Sequence, residues 1–177
     1  MTDSPVPLTD RRTVLRSLGA LAVAGSIAGC SGDGGDGGDG GDGGTATPPS
    51  PDTTVSSGGV SRSEAEEWAS ASSNYDSVVD RTGQDVVEVT VGAQGNNGNF
   101  AFDPPAVEVS SGTTVVWEWT GDGGTHNVVA NGGEFDSGSA VEEAGTTYVV
   151  EFTATGAWGY VCEPHESLGM KGAVIVS

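Results

Sequence analysis

From about residue 85 to the C-terminus, apolar and polar residues alternate with a period of two, and turn residues separate the alternating runs. Valine and aromatic residues fill the runs, which favours strands, whereas glycine and asparagine fill many of the breaks. The strands predicted from this pattern cover residues 86–91, 106–109, 114–119, 126–129, 147–152, 157–162 and 172–176. The pattern therefore predicts an all-β Greek-key sandwich of about seven to eight strands.

A short helix is predicted ahead of the sandwich. Ser63 followed three residues later by Glu66 reads as a capping box, and serine, asparagine and aspartate after Trp68 should end the helix early. We expect Trp68 and Tyr75 to pack this segment onto the sandwich, as a structural appendage that binds nothing itself.

Residues 31–60 have the composition of a linker. Gly-Gly-Asp repeats give way to prolines and then to serine and threonine, so the segment offers little apolar surface to offset the entropy of ordering it. As a flexible coil of about thirty residues it would span on the order of 30 Å. We expect a disordered, passive spacer.

The N-terminus has the features of an export signal. Arg11 and Arg12 resemble a twin-arginine motif, and the apolar run after them, residues 18–29, is shorter than the roughly 20 residues that a membrane-spanning helix needs. The run ends in Ile-Ala-Gly followed by Cys30, which resembles a lipobox. These features predict a cleaved lipoprotein signal.

The chain is therefore predicted to have three regions: a twin-arginine lipoprotein signal peptide over residues 1–29, a linker over residues 30–60 with its lipid anchor at Cys30, and a folded domain over residues 61–177. The mature protein would be peripheral, lipid-anchored on the extracellular face of the cell membrane. An uncleaved signal anchor, or a disulfide between Cys30 and Cys162, is the alternative.

The charge of the chain excludes one class of partner. There are 25 Asp and Glu against 6 Lys and Arg, a formal net charge of −19, and nucleic-acid binding needs Lys and Arg for phosphate contacts. The acidic residues are spread over tail, helix and strands, which favours adaptation to molar salt, where a Debye length of roughly 3 Å screens their repulsion. A merely solubilising surface is the alternative.

The candidate chemistry is concentrated in two short segments. Cys162, His165 and Met170 follow one another as C-x-x-H-x-x-x-x-M, and His126 lies 36 positions before Cys162. Apart from Met1 and Cys30, these are all the histidine, cysteine and methionine residues of the chain. Two imidazoles, a thiolate and a weak thioether form the ligand set of a blue-copper electron-transfer centre.

Taken singly, each of these residues has an ordinary structural explanation. His126 could be a structural strand histidine and Met170 a filler of the core. Their joint spacing favours a metal site, and zinc, which also accepts cysteine and histidine, gains little from a thioether. The sequence therefore predicts one copper per domain, bound by His126, Cys162, His165 and Met170.

Several motifs resemble the halocyanin branch of the plastocyanin-like cupredoxins, over roughly residues 73–177. They are Phe102-Asp103-Pro104-Pro105, Val115-Val116-Trp117-Glu118-Trp119, Thr125-His126-Asn127-Val128 and the segment 162–172. Halocyanins are small blue copper proteins of salt-loving archaea, which agrees with the acidity and the export signal. The resemblance implies that His126 and His165 are the imidazole ligands, Cys162 the thiolate and Met170 the axial thioether. It also implies that the backbone N–H of Asn127 donates to the Cys162 sulfur.

The resemblance implies a one-electron carrier, mobile or tethered, with no catalytic residues. A multicopper oxidase is excluded because its trinuclear cluster needs many more histidines than the two in this chain. A copper-holding or chaperone surface lipoprotein is the alternative, but it would usually show Met-rich or His-rich clusters. An adhesion sandwich without metal would not require this ligand set. Membrane redox proteins are the expected electron donor and acceptor.

Overall fold

The computed structural model describes residues 49–177, which form a sandwich of two five-stranded sheets. The strands are β1 (Thr53–Val55), β2 (Val79–Asp80), β3 (Val86–Gly95), β4 (Gly98–Asp103), β5 (Ala106–Val109), β6 (Thr113–Trp119), β7 (Val129–Ala130), β8 (Thr147–Phe152), β9 (Gly156–Val161) and β10 (Lys171–Val176). Helix α1 spans Arg62–Ala69, and a 3-10 helix spans Glu163–Leu168. One sheet has the order β1-β8-β6-β3-β4 and the other the order β2-β5-β10-β9-β7. The predicted all-β sandwich is confirmed, with ten strands among the described residues.

The core lies between the sheets because alternate residues of each strand point inward. In β6, Val115, Trp117 and Trp119 are buried, whereas Glu118 between them is exposed. From the facing sheet, the ring of Tyr160 meets the ring of Trp117 edge-on, with centroids 5.3 Å apart. Such aromatic pairs are worth about 0.5–1.5 kcal/mol beyond their buried area, so they help to fix the spacing of the sheets.

Helix α1 packs against the outer side of the second sheet, where its small residues Ala65 and Ala69 are fully buried. Its capping box is formed by Ser61 and Glu64: each side chain bonds the backbone N–H of the other residue. The prediction placed the box two residues too late, at Ser63, because both serines are followed three positions later by glutamate. The predicted packing role of this segment is confirmed.

The predicted linker differs from the structure at its C-terminal end, because residues 53–55 form β1. This strand pairs in parallel with β8, and Val55 is buried with only 2% exposure. The backbone of Val60 then bridges Ala157 in β9. Three residues are too few to show an alternation of apolar and polar positions. Residues 53–55 form a strand because their backbone bonds to the edge of the distant strand β8, so their composition did not predict it.

Two other strands were also missed and one was misplaced. β2 is only two residues long, and β4 is rich in glycine and asparagine, which local propensity counts against a strand. Of the predicted strand 126–129, only Val129 lies in β7, and His126 instead forms an isolated bridge with Val141. The turn predicted at residues 95–98 joins β3 to β4.

The predicted signal peptide, the lipid anchor at Cys30 and the predicted linker up to residue 48 lie outside the described residues. Across residues 49–177, no helix has both the length and the apolar character needed to cross a membrane.

Candidate metal centre

The loop between β9 and β10 carries three of the predicted ligands. Cys162 follows the last residue of β9, His165 lies in the 3-10 helix, and Met170 directly precedes β10. Backbone bonds close this loop on itself: Cys162 N–H donates to Met170 O at 3.1 Å, and Met170 N–H donates to His165 O at 3.2 Å. Gly169, with φ 93°, ends the 3-10 helix in the left-handed region that favours glycine. The backbone of the loop is therefore held in one conformation.

His126 approaches this loop from the segment between β6 and β7. Its backbone N–H and carbonyl pair with Val141 at 2.8 and 2.9 Å, and the Trp119 indole N–H donates to its carbonyl at 3.0 Å. The side chain is 1% exposed. Both the backbone and the ring are therefore fixed by the sandwich.

The donor atoms of three residues converge. The Cys162 sulfur lies 3.5 Å from Nδ1 of His126 and 3.4 Å from Nδ1 of His165, and the two Nδ1 atoms lie 3.1 Å apart. A point equidistant from the three atoms lies about 1.9 Å from each, near the roughly 2.0 Å of a metal–nitrogen bond and short of the roughly 2.3 Å of a metal–sulfur bond. The three donors are therefore grouped closely enough to bind one metal ion.

The orientation of the His126 ring is set by its other nitrogen. Nε2 lies 2.9 Å from the backbone carbonyl of Asp122, and since a carbonyl can only accept, Nε2 carries the proton. The Nδ1 lone pair is then directed at Cys162 and His165, as metal-binding histidines require. Gly123 gives the ring room, because a Cβ at that position would lie 3.0 Å from Nε2 and only 2.2 Å from a backbone oxygen.

Burial sets the ionisation of the three groups. Burial lowers the pKa of His126, and burial together with the repulsion that a protonated His126 would exert lowers the pKa of His165, so both rings favour the neutral form. Burial raises the pKa of the Cys162 thiol, and the nearby backbone N–H groups of Asn127 and His165 oppose that rise. Two neutral imidazole nitrogens and one sulfur atom offer lone pairs that can bind a cation.

Asn127 has a second role that sequence reasoning missed. Its side-chain oxygen accepts the backbone N–H of Glu163 at 2.9 Å, and its amide nitrogen donates to the Glu163 carboxylate at 2.7 Å. The segment that carries His126 is thereby joined to the loop that carries Cys162. The only sequence signal for this second role was that Asn127 directly follows a candidate ligand, His126.

The His165 ring is only partly buried, in contrast to His126. The ring of Phe100 packs against it with centroids 4.7 Å apart, and Leu168, one of the few exposed large apolar residues, is 48% exposed in the same loop. Sequence patterns did not indicate that Phe100 would reach the site, because this contact depends on the β3–β4 hairpin, and β4 was not predicted.

The structure thus brings together the donor atoms of His126, Cys162 and His165, as expected from the sequence. Met170 is fully buried, belongs to the same apolar cluster as Cys162, and is bonded through its backbone to Cys162 and His165. Cys30, the predicted lipid-anchored residue, lies outside the described part of the chain.

Residues 87–177, slightly more than half of the chain, match the family of copper-binding proteins described as the plastocyanin/azurin family. The chain belongs to the plastocyanin/azurin family. A halocyanin of Natronomonas pharaonis is 56% identical over 102 residues, which are 56% of this chain and 61% of that protein. The match therefore spans less than two thirds of the halocyanin. Plastocyanins of Scenedesmus fuscus and Vicia faba are 35% and 39% identical, over half of this chain and 99% and 100% of their own lengths.

Membership of the plastocyanin/azurin family confirms the predicted cupredoxin fold, the halocyanin-like resemblance and the predicted cofactor, one copper. The donor set fits that metal, because a thiolate and two imidazoles in a plane suit both Cu(I) and Cu(II).

Proposed function

We propose that this protein is a one-electron carrier whose single copper is held by His126, Cys162, His165 and Met170. The triangle of Sγ and two Nδ1 atoms, with sides of 3.4, 3.5 and 3.1 Å, carries the proposal. When bound, copper supplies a redox couple that gains and loses one electron. The three converging donors would hold the metal, and Met170, buried in the same cluster, would add its thioether as a weak ligand.

Rapid electron transfer requires that the ligands move little when the charge of the metal changes. Here the backbone around each donor is tied down: His126 by Val141, Cys162 by Met170, and Met170 by His165. The His126 ring is also held by Asp122 and by close packing against Gly123. These restraints favour a carrier with small structural change between oxidation states.

We assign electron transfer to this site and do not assign a catalytic role to any of its residues. Cys162 and His126 are fully or almost fully buried, so a substrate has no access to the thiolate. His165 alone among the three converging donors is partly exposed, beside Phe100 and Leu168. Electrons should therefore enter and leave through the edge of this imidazole, at an apolar surface.

We also propose that the carrier is tethered at the outer face of the cell membrane and exchanges electrons with membrane redox proteins. Support comes from the sequence, where Arg11, Arg12 and the apolar run ending at Cys30 have the order of an exported lipoprotein. Cys30→Ser should release the protein from the membrane fraction, and lysine at positions 11 and 12 should retain it in the cytoplasm. Unchanged membrane association of Cys30→Ser would contradict lipid anchoring.

The copper assignment is tested by adding Cu(II) to the purified metal-free protein and recording the visible spectrum together with the bound metal. The wild type should bind one copper and become intensely blue, and reduction should remove the colour. Cys162→Ser should not become blue, because the band is thiolate-to-copper charge transfer. A blue Cys162→Ser variant, or a wild type that binds zinc yet gives no blue species with copper, would contradict the proposal.

A further inference from the structure

The segment between α1 and β2 precedes the region matched to the plastocyanin/azurin family, yet it reaches the metal loop. We propose that Ser73 of this segment and Asn96 of the β3–β4 turn form a clamp that positions the loop carrying His165 and Met170. The inference rests on the proposed function of that loop as a copper site. Residues 70–78, the segment between α1 and β2, are called the N-terminal extension below. The inference assigns this extension a role in positioning the ligands.

The clamp is a reciprocal pair of hydrogen bonds. The backbone N–H of Ser73 donates to the side-chain oxygen of Asn96 at 2.9 Å, and the backbone N–H of Asn96 donates to the Ser73 hydroxyl. Asn96 is buried, with 8% exposure, and its φ of 53° is one that asparagine tolerates better than most residues. A buried asparagine in this conformation that makes two hydrogen bonds to one distant residue is a specific connection.

One side of the clamp leads to His165. The Asn96 amide nitrogen donates to the backbone carbonyl of Phe100 at 2.7 Å, and the Phe100 ring packs against the His165 ring. Next to Ser73, the Asn74 amide donates to the carbonyl of Phe102 at 2.9 Å. The extension therefore holds β4 directly at Phe102 and, through Asn96, at Phe100, whose ring packs against the partly exposed His165 imidazole.

The other side of the clamp leads to Met170. A Cβ on Gly169 would lie 2.7 Å from the backbone oxygen of Ala71 and 3.3 Å from the Asn96 side-chain oxygen. The extension thus lies directly against the residue before Met170. Gly169 ends the 3-10 helix and directly precedes Met170. Because Ala71 and Asn96 lie so close to Gly169, the backbone has little room to move before Met170.

The two connections differ from general stabilisation because they end on neighbours of two different proposed ligands. A purely structural contact would change the free energy of unfolding and leave the local order of Gly169 and Met170 intact. A positioning contact would loosen these two residues in the folded protein, since local opening can be much easier than global unfolding.

The test uses Asn96→Gly and Ser73→Ala in the full chain, each with a matched control. Asn97→Gly removes the neighbouring exposed asparagine of the same turn, which also has a positive φ of 65°. Ser70→Ala removes a serine that bonds only within its own segment, to the carbonyl of Glu67. Amide hydrogen exchange of Gly169 and Met170 is measured in the metal-free protein, and copper loss to a chelator and reduction potential in the copper-loaded protein.

We expect exchange at Gly169 and Met170, and copper loss, to be about tenfold faster in both clamp variants, with a changed reduction potential, and near wild type in both controls. If clamp variants and controls behave alike, or if only the unfolding midpoint moves, the inference is wrong. A wild type that never becomes blue would overturn the proposed function, whereas the exchange data on the metal-free protein would still decide whether the clamp positions the loop.

Discussion

The indole nitrogen of Trp68 donates a hydrogen bond to the backbone carbonyl of Tyr160, 2.9 Å away and 92 residues later in the chain. Tyr160 lies in β9, two residues before Cys162. The Lys171 ammonium, at the start of β10, lies 3.6 Å from the centroid of the same indole. One residue of α1 is therefore joined to both strands that flank the metal loop.

Trp68→Phe should lower the free energy of unfolding by about 1 kcal/mol, because it removes the hydrogen bond but keeps an aromatic ring beside Lys171. Trp68→Ala should cost more, about 2–4 kcal/mol, because packing against Gly159 is lost as well. Urea unfolding of the metal-free protein measures both values. A Trp68→Phe variant as stable as the wild type would show that the hydrogen bond contributes nothing, and equal costs for the two variants would show that the ring packing contributes nothing.

A second prediction concerns the ion pair that joins α1 to β5. The Arg62 guanidinium lies 2.9 Å from the Glu108 carboxylate and hydrogen-bonds to it, which lowers the pKa of Glu108 below its ordinary value of 4.5. A lowered folded-state pKa gives stabilisation that is present above pH 4.5 and is lost as the pH falls through the folded-state value. Arg62→Gln should therefore destabilise the protein near pH 7 and much less at a pH below the folded-state pKa of Glu108.

Unfolding free energies of the wild type and Arg62→Gln, measured from pH 3 to pH 7, give this difference directly. Arg62 is half exposed, so the effect should be at most about 1 kcal/mol. Arg62 also bonds Glu66, and Glu66→Gln is the control for that second contact. A difference between wild type and Arg62→Gln that is independent of pH would contradict the assignment to Glu108.

The strands that the sequence predicts well are those whose apolar residues alternate over six or more positions, such as β6 and β8. In these strands local pattern and tertiary burial agree, so Trp117 and Val150 are buried where the alternation places them. β1 was missed because its order comes from backbone pairing with the distant strand β8. β4 was missed because it begins with Gly98 and Asn99 and pairs with the neighbouring strand β3 through register shifts, which hide its alternation.

Three of the predicted ligands, Cys162, His165 and Met170, lie close together because they share one short loop. The loop from Cys162 to Met170 is closed by its own backbone bonds, so its sequence defines its shape. The supporting residues Phe100, Asn96 and Asp122 could not be predicted in the same way. The ring contact of Phe100 with His165 depends on how β4 is placed across the fold. Asn96 and Asp122 each bond a residue four positions later, but these bonds depend on turn conformations that no apolar pattern predicts.

The third prediction is that Met170 adjusts the redox equilibrium more than it retains the metal. Leucine has a similar volume, so Met170→Leu should preserve the buried packing, the blue colour and the bound copper. Loss of an axial donor disfavours Cu(II), so the reduction potential should rise by on the order of 60 mV, about a tenfold change in the redox equilibrium. Potentiometric titration followed at the blue band measures the shift, and a lower potential or loss of copper would contradict this role.

The last prediction concerns the apolar surface beside His165. Leu168 is 48% exposed and contributes no donor atom, so Leu168→Asp should leave the visible spectrum unchanged. In molar salt the charges of the acidic surface are screened within about 3 Å, so partner docking depends on short-range apolar contact. The new carboxylate should therefore slow electron self-exchange about tenfold or more, since a charge must be desolvated at the contact. Val60 is equally exposed, at 47%, and lies beside Ala157, so Val60→Asp is the matched control and should exchange at the wild-type rate. If Leu168→Asp exchanges as fast as Val60→Asp in molar salt, while a charge reversal such as Glu88→Lys slows the reaction, electrons do not leave through the edge of His165.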